Sequence, residues 1–173
     1  GLLKMACRMD DPVLFMEHKG LYRQGYAATK EPDSDYIIPF GKGRLVSNGN
    51  YLTLVTWGAM VQKSVEAVQE LLLEENIVEI IDLRTLNPID FDILEVSINK
   101  TGKVLIVHED NLTNGPGAEI SAMISEKFFE YLDGPIKRVA AKDSPIPFNW
   151  VIEEKILPQT KDISNAIEEL LEY

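Results

Sequence analysis

Short, almost wholly apolar runs alternate along this chain with stretches of helical period, and that alternation constrains its fold more than any other feature. Tyr51–Trp57, Ile77–Ile81, Lys103–Val107 and Ile136–Ala140 are each short and continuously apolar enough for a strand buried on both faces. Between and after them, Val61, Val65, Val68 and Leu72 mark one helical face. Ile120, Ile124, Phe128 and Leu132 mark a second, and Ile163, Ile167 and Leu170 a third. Asp90 to Lys100 reads as a further helix, closed by Thr101-Gly102. Strand-helix alternation of this kind predicts an α/β fold, a three-layer arrangement with a mostly parallel sheet covered on both sides. Asn48-Gly49 lies between Arg44–Val46 and Tyr51–Trp57, and both residue types tolerate positive φ. The expectation is therefore one antiparallel edge hairpin added to the parallel sheet.

The size permits this. With 173 residues and 45% hydrophobic content, the chain fits one ordinary domain with a short extra segment. A single cysteine, Cys7, excludes an internal disulfide and a four-cysteine zinc site. No apolar run approaches the roughly 20 residues that span a bilayer. Seventeen basic residues against 28 acidic ones give a net charge of −11. Such a surface repels nucleic acid and anionic membranes and attracts basic partners. An acidic surface also has a simpler reading, solubility alone.

The first forty residues read differently. Residues 1 to 9 suit one or two helical turns, stopped at Asp10, Asp11 and Pro12. Gly1-Leu2-Leu3 reads like the middle of a helix, so the chain is expected to be a piece of something longer. Val13–Met16 suits a buried parallel strand. From residue 24 onward Gly, Pro, Lys, Asp, Glu and Ser mix without period, as in a linker.

In open α/β sheets, ligands meet the carboxyl ends of strands. Three polar clusters fall there: Glu17, His18 and Lys19; Asp82, Arg84 and Thr85; and His108, Glu109 and Asp110. The last could be an acid–base group, or a capped strand end whose polar atoms only need hydrogen bonds. Two histidines and no H-E-x-x-H spacing make a poor metal inventory, and no metal site is expected. Gly41-x-Gly43 lacks the third glycine of a dinucleotide fingerprint. Gly115-Pro116-Gly117 precedes a helix and could offer amides to an anion, but Pro116 removes a donor and Glu119 adds negative charge. A structural turn is the reading favoured there, and no cofactor is expected to be bound by this segment alone.

Pro12-Val-Leu-Phe-Met-Glu-His-Lys-Gly-Leu-Tyr-Arg23, Tyr36-Ile-Ile-Pro-Phe-Gly-Lys-Gly43, Val78-Glu-Ile-Ile-Asp-Leu-Arg-Thr-Leu-Asn-Pro88, Thr101-Gly-Lys-Val-Leu-Ile-Val-His-Glu-Asp110 and Asp143-Ser-Pro-Ile-Pro-Phe148 occur in this order. The ordered set resembles the beta subunit of thiamine-diphosphate-dependent 2-oxo acid dehydrogenases, the E1 component of pyruvate or branched-chain type. The resemblance implies a remnant of the pyrimidine-binding domain over residues 1–23, a linker over 24–38, and a transketolase C-terminal-like domain over 39–173. The loop Asn111–Gly117 and the segment Phe148–Val151 depart from the usual pattern.

The resemblance further implies a component of an enzyme that decarboxylates a 2-oxo acid and passes the acyl group to lipoyl-E2. Thiamine diphosphate and Mg²⁺ would act in the assembled enzyme, the cofactor being the electron sink. The activating glutamate is expected upstream of residue 1, and the metal and diphosphate motif in the alpha part. The implied partners are the E1 alpha subunit, a second beta subunit and E2. The implied location is cytoplasmic in a bacterium or archaeon, and the mitochondrial matrix in a eukaryote. Glu17, His18, Lys19, Arg23, Arg84, His108, Glu109 and Asp110 match positions at strand ends or subunit contacts. Two alternatives stay open: a stand-alone dimerisation or docking domain, and a part of another thiamine enzyme such as a transketolase or deoxyxylulose-phosphate synthase.

Overall fold

A computed structural model describes residues 1–71 and 76–173. Five strands form one sheet: β1 (Arg44–Ser47), β2 (Leu52–Thr56), β3 (Val78–Asp82), β4 (Val104–Asn111) and β5 (Lys137–Ala141). Their order is β1-β3-β2-β4-β5. The last four strands run parallel, and β1 runs antiparallel to β3 at the edge.

Strand alternation explains the two cores. Leu52 and Leu54 of β2 face one side with Val78, Ile80, Leu105 and Val107. There they meet Met60 and Ala67 of α2 (Met60–Glu70) and Ile163, Ile167 and Leu170 of α6 (Thr160–Leu171). Val55, Ile81, Val104 and Ile106 face the other side. They meet Leu94 and Ile98 of α3 (Phe91–Thr101) and Ile120, Ile124 and Phe128 of α4 (Pro116–Phe128). The three-layer, mostly parallel α/β reading therefore holds. Each fully buried Leu or Ile contributes roughly 1.5–3 kcal/mol.

Helix ends follow their residues. Asp90 caps α3 by accepting from the Ile93 amide, and also accepts from the Gly43 amide at 2.9 Å. Gly102 closes the same helix at φ 68°, a conformation open to glycine. Thr53, buried beneath α3, shares its hydroxyl with Ser97 at 2.6 Å and Thr101 at 2.7 Å. A polar residue in the middle of β2 is thus satisfied without water.

Four expectations need correction. The antiparallel edge exists, but it is not a hairpin: β3 lies between β1 and β2. Residues 47–50 instead cross the start of β3, where a Cβ on Gly49 would collide with the Val78 and Glu79 backbone. Glycine is required there for close approach, and Gly49 does not adopt positive φ. Val13–Met16 has no regular secondary structure and joins no strand ladder among the described residues, and Leu14 and Met16 are exposed. The buried face of α2 centres on Met60, Ser64 and Ala67, with Val65 and Val68 at its flanks. Small residues are needed where α6 crosses closely, with the Ser164 hydroxyl donating to the Ala67 carbonyl at 3.4 Å. Leu72 lies outside the described residues. Finally, α4 ends at Phe128 and a tight 3₁₀ turn carries Leu132 back onto the same core.

Candidate functional site at the carboxyl edge of the sheet

The chain enters β2, turns back through α2 into β3, and then passes to the far side of β2 for β4. Strand order therefore reverses between β2 and β4, and open α/β sheets place ligands in the crevice at that point. Here the crevice is filled. Trp57, just beyond β2, stacks on His108 of β4 with ring centroids 5.4 Å apart and planes 5° apart. On its other side His108 meets the first turn of α4. A Cβ on Gly117 would fall inside contact distance of His108 Nε2, and one on Gly115 would lie 3.0 Å from Cε1. The two glycines are thus the seat of the imidazole.

The His108 side chain is fully buried, and neither ring nitrogen has a hydrogen-bond partner. Burial holds its pKa below the ordinary histidine value; Asp110 pulls upward and the Arg138 charge pushes further down. A neutral imidazole sandwiched between indole and glycine backbone is a packing group. The Gly115-Pro116-Gly117 turn, which could have offered amides to a diphosphate, is occupied by this ring. Among the described residues no group of three or more His, Cys, Asp or Glu is placed to hold a metal ion. The residues present do not fit a thiamine diphosphate and Mg²⁺ site.

β4 runs through His108, Glu109 and Asp110 rather than ending before them. The pleat turns Glu109 away from His108, and the register with β5 shifts between Val107 and Asn111, so the three side chains end in different settings. His108 points inward, Glu109 is half-buried, and Asp110 is exposed with its Oδ1 accepting from the Asn111 amide at 2.7 Å. Glu109 instead meets His18, Nε2 to Oε2 at 3.0 Å. That contact ties the N-terminal segment to the carboxyl edge of the sheet. Glu17 accepts from the Tyr22 hydroxyl, which folds residues 17–22 into a compact turn. Lys19 opens that turn and, like Arg23, is exposed. The segment forms an open surface pocket of about 410 Å³, lined by Phe15, Met16, His18, Leu21 and Tyr22 among others.

Arg84 lies just beyond β3, which β2 separates from β4, at φ 58°. Its amide donates to Asp82 Oδ1 at 3.1 Å, while Arg44 supplies the ion pair to Oδ2 at 3.2 Å. Burial pushes the Asp82 carboxyl above the usual range, against the pull of the Arg84 amide and the Arg44 charge. The structure therefore brings together Glu17, His18 and Glu109, and leaves His108, Asp110 and Arg84 in separate settings. The stacking of Trp57 on His108 was hidden in the sequence, because nothing there placed β2 beside β4. The only available signal was an aromatic residue and a histidine at the ends of two apolar runs.

No catalytic base, nucleophile and orienting group converge at this edge among the described residues. What the arrangement offers is a rigid sheet end joined to the N-terminal segment through His18 and Glu109. The family described as "Transketolase, C-terminal domain" matches residues 41–163. The pyruvate dehydrogenase E1 component subunit beta of Staphylococcus epidermidis is 40% identical over 173 residues, covering 100% of this chain and 52% of that protein. The same-named subunit of Staphylococcus aureus gives the same identity and coverage, 40%, 100% and 52%. This chain thus spans about half the length of these relatives. Among solved structures, a split gene transketolase, an inactive beta4 tetramer, superposes with a TM-score of 0.67 at 26% identity, over 83% of this chain and 46% of that one. A 2-oxoglutarate:ferredoxin oxidoreductase from Magnetococcus marinus shares the fold, with a TM-score of 0.50 at 15% identity over 75% of this chain and 19% of that one.

Proposed function

The chain belongs to the transketolase C-terminal domain family, and on that premise we propose that it is the C-terminal part of an E1 beta subunit of a 2-oxo acid dehydrogenase, serving assembly rather than bond chemistry. The observation that carries this reading is the 40% identity to pyruvate dehydrogenase E1 beta subunits along the whole chain. The plugged strand-order crevice supports the assembly role, since it leaves no room for a cofactor there. Thiamine diphosphate and Mg²⁺ would be held elsewhere in the assembled enzyme, where the cofactor supplies the electron sink.

Residues 1–23 are then the end of a pyrimidine-binding domain and 24–38 a linker. The unladdered Val13–Met16, with Leu14 and Met16 exposed, supports this. Buried-type apolar residues and free backbone amides are what a strand shows when its neighbours are elsewhere. Glu17, His18, Lys19, Arg23 and Arg84 would lie at subunit or domain contacts. The net charge of −11 would steer a basic E2 domain toward the assembly. E2 association should then weaken with salt; a salt-insensitive association rate sinks the steering idea.

The deciding experiment co-expresses the full-length beta protein with its alpha partner and follows CO₂ release from pyruvate and from branched-chain 2-oxo acids. Thiamine-dependent release from either supports the reading. Ketol transfer between sugar phosphates without such release assigns the chain to a transketolase instead.

A further inference from the structure

We propose that the exposed apolar run from Pro145 to Ile152 is the surface on which the rest of the same subunit's pyrimidine-binding domain docks, a proposal that rests on the reading of residues 1–23 given above. Ile146, Phe148, Trp150, Val151 and Ile152 are all exposed, Phe148 completely. They occupy the loop after β5 and the first turn of α5 (Trp150–Ile156), a helix with no buried residue. Residues 144–152 carry no charge in a chain that is 26% charged, so covering them strips no ion of its water.

The run is held in place from both ends. Asp143 accepts from the Thr113 amide at 2.9 Å and from its hydroxyl at 2.6 Å. The Lys142 amide donates to the Ile156 carbonyl at 3.1 Å. Asn149 caps α5 by accepting from the Val151 amide at 3.0 Å. Beyond α5, Lys63 of α2 donates to the Pro158 carbonyl at 2.8 Å. Pro145 and Pro147 fix φ on either side of Ile146. A surface presented in this way has little freedom left to lose on docking.

Its size and place select the occupant. An aromatic side chain carries about 150–250 Å², so the five residues together offer roughly 600 Å² of apolar surface. Contacts between domains of one chain begin at about that size. The run also starts beside the place where residues 1–23 reach the sheet. His18 meets Glu109 on β4, Asn111 of the same strand pairs with Ala141 of β5, and the run begins just beyond that strand. A domain that ends in residues 1–23 therefore has its body at this edge. A second copy of the chain fits less well. An isologous contact here would set Asp143, Glu153 and Glu154 close to their own counterparts, across two chains of net charge −11.

The test puts the photocrosslinker p-benzoylphenylalanine in place of Phe148 in the full-length beta protein, assembled with its alpha partner, with half of the beta made in ¹⁵N. Mass spectrometry of the crosslinked peptides names the occupant. The expected product joins position 148 to the upstream half of the beta subunit, in peptide pairs of a single isotope. Mixed-isotope pairs would assign the surface to a second copy, and crosslinks to alpha or to added E2 would assign it to those partners; each overturns the proposal. Hydroxyl-radical footprinting of the unsubstituted assembly does not depend on the variant folding. Phe148 and Trp150 should lose most of the oxidation they show in urea, and full oxidation in the assembly also overturns the proposal. CO₂ release from 2-oxo acids, followed on the same unsubstituted assembly, keeps the two readings apart. Release with crosslinks elsewhere removes the docking surface and leaves the E1 reading standing; the expected crosslinks without release do the reverse.

Discussion

The N-terminal segment and the sheet domain are both rich in apolar residues, yet they use them in opposite ways. Residues 41–173 bury Leu52, Leu54, Ile80, Ile106 and their neighbours completely. Residues 1–40 contain no buried side chain at all, although Val13–Met16 is as apolar as any strand of the domain. Composition is therefore not what makes a core. A strand also needs a ladder for its backbone and a helix for its face. The sheet domain supplies both internally, and the N-terminal segment finds neither among the described residues.

The sharpest way to break this contrast is a pair of truncations. Leu54→Ala removes a fully buried side chain between β2 and its helices and should cost about 2–5 kcal/mol of unfolding free energy. Leu14→Ala removes an exposed one and should stay within about 0.5 kcal/mol in this chain. Urea unfolding measures both. A loss at Leu14 approaching that at Leu54 would mean the N-terminal segment is packed after all.

The next test stays inside the domain. Gly117→Ala places a methyl group on His108 Nε2 and should destabilise by about 1–3 kcal/mol. The same change in a His108→Ala background should cost far less, because the obstructing ring is gone. Additive losses in this double-mutant cycle would show that the glycine is needed for something other than the imidazole.

A smaller effect comes from titration. His108 has a folded pKa below its unfolded value. Above about pH 6.5 both states are neutral and no penalty exists. As pH falls below that value the unfolded chain takes up the proton and the folded chain resists, so stability drops by up to about 1.4 kcal/mol per pH unit. His108→Leu should flatten this limb between pH 7 and 5. An unchanged slope would assign the acid sensitivity to other groups.

What the sequence could and could not reveal follows the range of each interaction. The apolar run Tyr51–Trp57, the helix from about Asp90 and its stop at Gly102 depend on near neighbours, and they read correctly. The partner of β1 depends on which strand arrives beside it thirty residues later. Asn48-Gly49 imitated a hairpin because glycine serves close backbone approach as well as positive φ. At the candidate site, the sequence placed His108, Glu109 and Asp110 at the carboxyl end of a strand. It could not show that the first would be buried, the second would meet His18 and the third would stay in solvent. That depended on where β4 ended and on a contact between residues ninety positions apart.

The smallest effect probes the join between the two regions. His18 and Glu109 are both partly exposed, at 38% and 25%, so their contact is worth at most about 1 kcal/mol. His18→Ala should leave global unfolding almost untouched. Its effect belongs to local opening, which a global melt does not sense. Limited proteolysis reads that opening directly, because cleavage within residues 12–28 requires the segment to lift from the carboxyl edge of the sheet. Faster cutting there in His18→Ala, matched by Glu109→Gln and not increased further in the double variant, identifies the pair as the latch. Equal cutting in all four proteins would show that this pair does not hold the segment, and the boundary between the two regions would then be set by something other than the His18–Glu109 contact.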